Sequence, residues 1–142
     1  ILNSLKKLKR KYIVVDFNPD IINNLNRFEI PAVYGDVYDM DFLEDLKLEK
    51  LNLVVSTIPK YGDTMHLLKK VKNINSEIKI IVTAARISDA FKLYKAGADF
   101  VITPKIIAGQ KLASLLHVNE TELKKAKRKH LKHLRGIHKL LY

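Results

Sequence analysis

The sequence predicts an α/β fold, a parallel sheet wound by helices on both faces, and three observations predict it. Five short runs rich in Val and Ile recur along the chain. Between them lie segments with helical apolar spacing. Proline, glycine and Asn/Asp signals separate the two kinds of segment. Continuous apolar strands alternating with helices are the mark of parallel sheets, whose crossovers are helical and right-handed.

The elements follow in order. Ile1, Leu2, Leu5 and Leu8 stand at helical spacing with Lys and Arg between them, and no capping residue precedes them. This predicts the second half of a helix that begins upstream. YIVVDF (12–17) is a strand. Asn18-Pro19 starts a helix, a capping side chain followed by proline at the first helical position, with Ile21, Ile22 and Leu25 as its apolar face. IPAVYGD (30–36) is the next strand, and Met40, Leu43 and Leu46 mark a short helix. LNLVVSTIP (51–59) is a third strand ended by Pro59, followed by a helix carrying Met65, Leu68 and Val71 on one face. EIKIIVTAA (77–85) is a fourth strand. Ser88 to Lys95 is helical with Phe91 and Tyr94 turned inward, and Gly97 closes it. DFVITP (99–104) is the fifth strand, and Ile106, Ile107, Leu112, Leu115 and Leu116 lie on a further helix.

With 142 residues, 47% of them apolar, the chain has room for one domain with a sizeable core. No apolar run reaches the roughly 18 residues that cross a bilayer, and no signal peptide is visible. There is no cysteine, so disulfides and thiolate metal sites are excluded. The net charge of +11 is uneven: residues 118–142 hold eight Lys/Arg against two Glu, leaving +5 for the first 117 residues. The expected organisation is a body over 1–117 and a basic helical tail over 118–142. In that tail Thr121 can cap a helix, and Leu131, Leu134, His138 and Leu141 fall at heptad spacing. Gly136 weakens the helix by about 1 kcal/mol. Three roles suit such a tail: a solvated helix packed by one Leu stripe, contact with an anionic membrane surface, or salt-sensitive nucleic-acid binding. No base-stacking aromatics interleave the charges, which puts nucleic acid last. His130, His133 and His138 have no carboxylate or cysteine beside them, and no metal site is expected.

The chemistry turns on Asp16, the acid that ends the first strand. As a phosphoacceptor it fails. IIVTAARISDAFKLYKAGADFVITP resembles the second half of a response-regulator receiver domain, but the strand that should end in the acceptor acid ends in Ser56-Thr57. Thr103, not lysine, precedes Pro104. As a catalytic base it lacks a partner: Asp36 ends the neighbouring strand, but no histidine stands at a strand end. No catalytic residue is therefore assigned. The third role is that of the acid in a dinucleotide-binding unit, which accepts hydrogen bonds from the ribose hydroxyls. The glycine-rich loop of such a unit lies about 20 residues earlier. Counting back from Asp16 passes residue 1, so the expectation is a first strand with G-x-G-x-x-G encoded upstream. On spacing alone, a strand-end Asp also serves as an ordinary turn or cap residue.

VVDFNPD, IPAVYGDVYDMDFLEDL, LVVSTIP and KAGADFVITPKIIAGQKLASLL, in this order and spacing, resemble the RCK N-terminal (Trk-type NAD-binding) domains over residues 1 to about 117. STIP, and LYKAGADFVITP with the AG pair that follows, look most like the cytosolic domains of Kef-type monovalent cation:proton antiporters. The resemblance implies a Rossmann-like doubly wound sheet lacking its first strand and glycine loop. It implies a module without chemistry of its own that binds NAD(H) or an adenine nucleotide (ATP/ADP), with its grip weakened where the loop is absent. It implies a homodimer, control of an integral membrane K+ or Na+/H+ transporter, and a place in the cytoplasm at the inner face of the cell membrane. By position, Asp16 would hold the ribose, Asn18 next to it would be a further ligand-binding residue, Asp36 and Val37 would edge the adenine, and Ser56, Thr57 and Ile58 would line the middle of the ligand. The arginine that some members carry at the end of the fourth visible strand corresponds to Ala84 here, with Arg86 two residues later. A fragment of an NAD-dependent oxidoreductase is the alternative. It requires a substrate domain with a proton-transferring group, and nothing after residue 117 resembles one.

Overall fold

A computed structural model describes residues 11–141. The helix expected over residues 1–11 lies almost wholly outside them. The chain divides into two compact units: residues up to Asp36 together with those from Thr121 onward, and Val37–Glu120.

In the first unit, β1 (Val14–Asp16) pairs in parallel with β2 (Ala32–Tyr34), with Val14 opposite Ala32 and Asp16 opposite Tyr34. The crossover is α1 (Pro19–Arg27). Asn18 caps it, its side chain accepting from the Asp20 N–H at 2.9 Å, and Pro19 opens it. Ile22 and Leu25 turn its apolar face inward, and Ile30 is buried beyond its end. The end is a Schellman turn: Ile30 N–H reaches Leu25 O and Glu29 N–H reaches Asn26 O. Glu29 sits at φ 54°, where glycine is the usual occupant. The long helix α6 (Glu120–Leu141) also belongs to this unit, apart from its first residue. It starts at Glu120, so Thr121 lies inside its first turn and does not cap it.

In the second unit, α2 (Met40–Asp45) is capped by Asp39, which accepts from the Phe42 N–H at 3.1 Å. A short 3-10 turn over Leu48–Lys50 leads to a three-stranded parallel sheet in the order β3 (Leu53–Val55), β4 (Lys79–Thr83), β5 (Phe100–Ile102). The crossovers are α3 (Tyr61–Ile74) and α4 (Ile87–Lys95). Both connections step the same way across the sheet, which lays both helices on one face. That face is the core: Ile80, Val82 and Val101 meet Leu68 and Val71 of α3 and Ala90 and Leu93 of α4. Each fully buried aliphatic side chain contributes about 1.5–3 kcal/mol. The expected class, parallel strands joined by helices, stands; within this unit both crossover helices lie on one face. Val55, Ile81 and Phe100 form a cross-strand row on the other face, with Val55 and Phe100 exposed.

One expectation for α4 is corrected. Phe91 and Tyr94 do not turn inward; they are 65% and 45% exposed, and Ala90 and Leu93 face the sheet. Small side chains let the helix approach the strands closely, and the Tyr94 hydroxyl accepts from the Val101 N–H at 3.1 Å. The helix ends as α1 does, with Ala98 N–H on Leu93 O and Gly97 N–H on Tyr94 O. Here a glycine holds the left-handed position, at φ 101°. Gly97→Ala is therefore expected to cost about 1–2 kcal/mol, and Glu29→Gly to add a few tenths to about 1 kcal/mol, read as opposite shifts of the urea midpoint. The last helix of this unit, α5 (Pro104–Leu116), buries no side chain.

Candidate functional site

β1 is short because Asp16 turns the chain. Its Oδ1 accepts from the Asn18 N–H at 2.9 Å, and its carbonyl accepts from the Gly35 N–H at 3.1 Å. The first bond is the ordinary turn role of a strand-end Asp. It also fixes the carboxylate at the carboxyl end of the strand. Oδ2 has no hydrogen-bond partner among the described residues. Asn18 spends its side-chain oxygen on the helix cap. Asp36 is exposed just past β2. These three residues share the first unit.

Val37, Ser56, Thr57 and Ile58 belong to the second unit. Ser56 is buried, its N–H donating to Ile81 O at 2.8 Å and its Oγ accepting weakly from the Ile58 N–H at 3.4 Å. Ile58 O in turn accepts from the Thr64 and Thr83 hydroxyls, both at 3.1 Å. The loop after β3 is thus fixed by hydroxyls, and Ser56 is part of that framework. Thr57 is exposed and Ile58 and Val37 are half-buried. Nearby, the Tyr38 hydroxyl donates to Asp63 at 2.7 Å and holds that carboxyl below its usual range, helped by Lys60 at 3.3 Å. The Tyr38 ring stacks on His66 at 4.5 Å.

Sequence reasoning passed over one feature. At the carboxyl ends of β3 and β4, a cleft of about 330 Å³ is lined by Pro59, Tyr61, Thr83, Arg86, Asp89 and Leu93 among others. Ala84 cannot take the arginine's part: it is buried, with its N–H on Ile102 O at 2.8 Å. Arg86 lines the cleft instead, exposed and without an ion pair among the described residues. The available signal was its place just beyond a parallel strand's carboxyl end, where open α/β sheets bind ligands.

Parallel strands with helical crossovers define a Rossmann-like α/β domain, an architecture that binds ligands at the carboxyl ends of its strands. For an adenine nucleotide, the described residues fit the adenosine end: Asp16 presents a fixed acceptor to a pair of hydroxyls. Among them no glycine-rich turn cradles a phosphate. The sequence pattern of the TrkA-N domain matches residues 1–104, and the chain belongs to that family.

Its relatives include potassium channel protein 1 of Methanocaldococcus jannaschii, 25% identical over 117 residues, covering 81% of this chain and 35% of that one. The glutathione-regulated potassium-efflux system protein KefC of Klebsiella pneumoniae is 28% identical over 89 residues, covering 63% of this chain and 14% of that one. The chain thus spans a minor part of the length of either relative. Among solved structures, the TrkA-N domain of the Escherichia coli inner membrane protein ybaL aligns with a TM-score of 0.75 at 18% identity, over 81% of this chain and 85% of that one. The GsuK channel bound to NAD gives 0.65 at 23% identity over 72% and 18%. The AMP-bound Kef C-terminal domain of Shewanella denitrificans gives 0.57 at 15% over 91% and 94%. At these identities the likeness to solved structures concerns the fold.

Proposed function

We propose that this chain is a non-catalytic regulatory domain that binds NAD(H) or an adenine nucleotide and controls a monovalent cation transporter, moving K+ or exchanging Na+ or K+ for protons. The observation that carries the reading is Asp16, a carboxylate at the carboxyl end of a parallel strand, with one oxygen held by the Asn18 N–H and the other without a partner among the described residues. The NAD and AMP named with the GsuK and Kef structures support the ligand class. The potassium-transport relatives support the partner, an integral membrane transporter or its membrane domain. Such a partner places the domain in the cytoplasm, at the inner face of the membrane. In this reading the nucleotide-binding body spans residues 1–117, and the basic segment 118–142, most of it α6 of the first compact unit, takes no part in holding the ligand.

The site performs no reaction in this reading. Ligand alters output through unequal affinity for two conformations, a tenfold preference being worth about 1.4 kcal/mol. The two conformations belong to a homodimer. Exposed Ile87, Phe91 and Tyr94 on α4, with Ile106, Ile107, Leu112 and Leu116 on a helix that buries nothing, are the surfaces a second copy would cover. Arg86 in its cleft is a cation free to meet ligand phosphate.

The test is an amide NMR titration of the chain with AMP, ADP and NAD. Saturable shifts are expected at Asp16 and Asn18. Spectra unchanged at millimolar nucleotide would remove the ligand from this account.

A further inference from the structure

We propose that α6 lies flat on an anionic lipid surface. From 120 to 138 every side chain of this helix is exposed except half-buried Ala126. At 100° per residue, Leu123, Ala126, His130, Leu134 and Ile137 fall on one face with Leu131 beside them. Six of the seven Lys/Arg between 120 and 138 (Lys124, Lys125, Arg128, Lys129, Lys132 and Arg135) fall within an opposite arc of roughly 140°. The apolar stripe is partly open: Leu123, Leu131, Leu134 and Ile137 are 38–49% exposed. Among the described residues no helix is long and apolar enough to cross a membrane.

An amphipathic helix of low overall hydrophobicity, with a lysine- and arginine-rich polar face, sinks its stripe into the headgroup boundary and sets its cations among anionic headgroups. Lys127, the one cation placed near the stripe, has a stem long enough to return its ammonium to the surface. A nucleic acid would use the basic face and leave the stripe wet. A second copy would use the stripe and bring two strongly positive helices together. Lipid uses both faces, and the preference for it rests in part on the reading of this domain as one tied to a membrane transporter.

The experiment is co-sedimentation of the 142-residue chain with vesicles of phosphatidylcholine alone, or of phosphatidylcholine and phosphatidylglycerol in equal parts. Binding to the mixed vesicles only is expected, falling about tenfold or more on raising salt from about 0.1 to 0.5 M. Arg128→Glu with Lys132→Glu should weaken it at least roughly 25-fold, at about fivefold per basic residue lost. Leu134→Ser with Ile137→Ser should weaken it about tenfold or more with circular dichroism unchanged. Equal binding to neutral vesicles, or binding to neither, overturns the proposal. So does tighter binding to duplex DNA than to the mixed vesicles at the same salt. So does a serine pair that dissolves a dimer and leaves vesicle binding intact. The NMR titration with AMP is read on separate residues. A chain that binds vesicles but not AMP loses only the nucleotide reading, and the converse result removes only this one.

Discussion

If the proposed function holds, Asp16→Asn is expected to lower the affinity of the chain for AMP by roughly ten- to a hundredfold and to leave its urea midpoint nearly unchanged. The two carboxylate oxygens have separate tasks. Oδ1 accepts from the Asn18 N–H and holds the turn, a task the amide oxygen of asparagine performs equally well. In the proposed complex the ribose hydroxyls would meet a charged acceptor, and a hydrogen bond to a charged group contributes about 1.5–3 kcal/mol. Asparagine offers a neutral oxygen already engaged and an NH2 group that donates where acceptance is required. Asp16→Ala is expected to weaken nucleotide binding to the same degree and, in addition, to lose about 1 kcal/mol of stability from the vacated turn bond. Comparing the two variants by NMR titration and urea melts therefore distinguishes a ligand group from a turn residue. An asparagine variant that binds AMP as tightly as the wild type would reduce Asp16 to its turn role.

The parallel elements were legible because their signals are local. Val/Ile runs, Asn18-Pro19 and Gly97 each act through the backbone of their own segment, and each stands where it was expected. What was not legible depends on which of two apolar stripes a helix turns inward. Along α4, Ala90 and Leu93 make one stripe and Ile87, Phe91 and Tyr94 another. Hydrophobic bulk alone assigns the aromatics to the core. In the fold the stripe of Ala90 and Leu93 packs in the core, and the larger stripe is left at the surface. The same limit applies to the site. Asp16 was readable from its place at a strand end. The hydroxyl framework around Ile58 O was not, because Thr64 and Thr83 come from a helix and a strand that only the fold brings together. Arg86 escaped assignment because two residues of offset past a strand end decide between burial, as at Ala84, and exposure in a cleft.

Asp99→Ala is the substitution expected to cost the most stability, about 2–3 kcal/mol, or roughly 6–10 °C in melting temperature. Asp99 closes the sheet where β4 begins. Its own N–H donates to Ile80 O at 3.0 Å, and its Oδ2 accepts from the Ile80 N–H at 2.8 Å. Ile80 is fully buried, so alanine leaves a buried N–H without a partner. Lys72 also reaches Oδ2 at 3.1 Å while bridging to Ile78 O at 2.8 Å, which ties the end of α3 to the sheet. Lys79 adds a more exposed contact at 3.3 Å that contributes little. The Ile80 bond, opposed by partial burial and aided by the two lysines, lowers the carboxyl from 3.8 to about 2. A carboxyl that is more acidic in the folded state stabilises the fold above its unfolded value and loses that contribution as pH falls. The window here runs from about pH 4 down through pH 2. Because the side chain is 29% exposed, solvent reduces the contribution to about 1–2 kcal/mol. Asp99→Asn isolates it, since the amide oxygen still accepts from Ile80 but carries no charge. The stability gap between wild type and this variant should be full at pH 6 and shrink toward zero near pH 2 in urea titrations. A gap of constant size across that range would show that the carboxylate's charge is not what joins these strands.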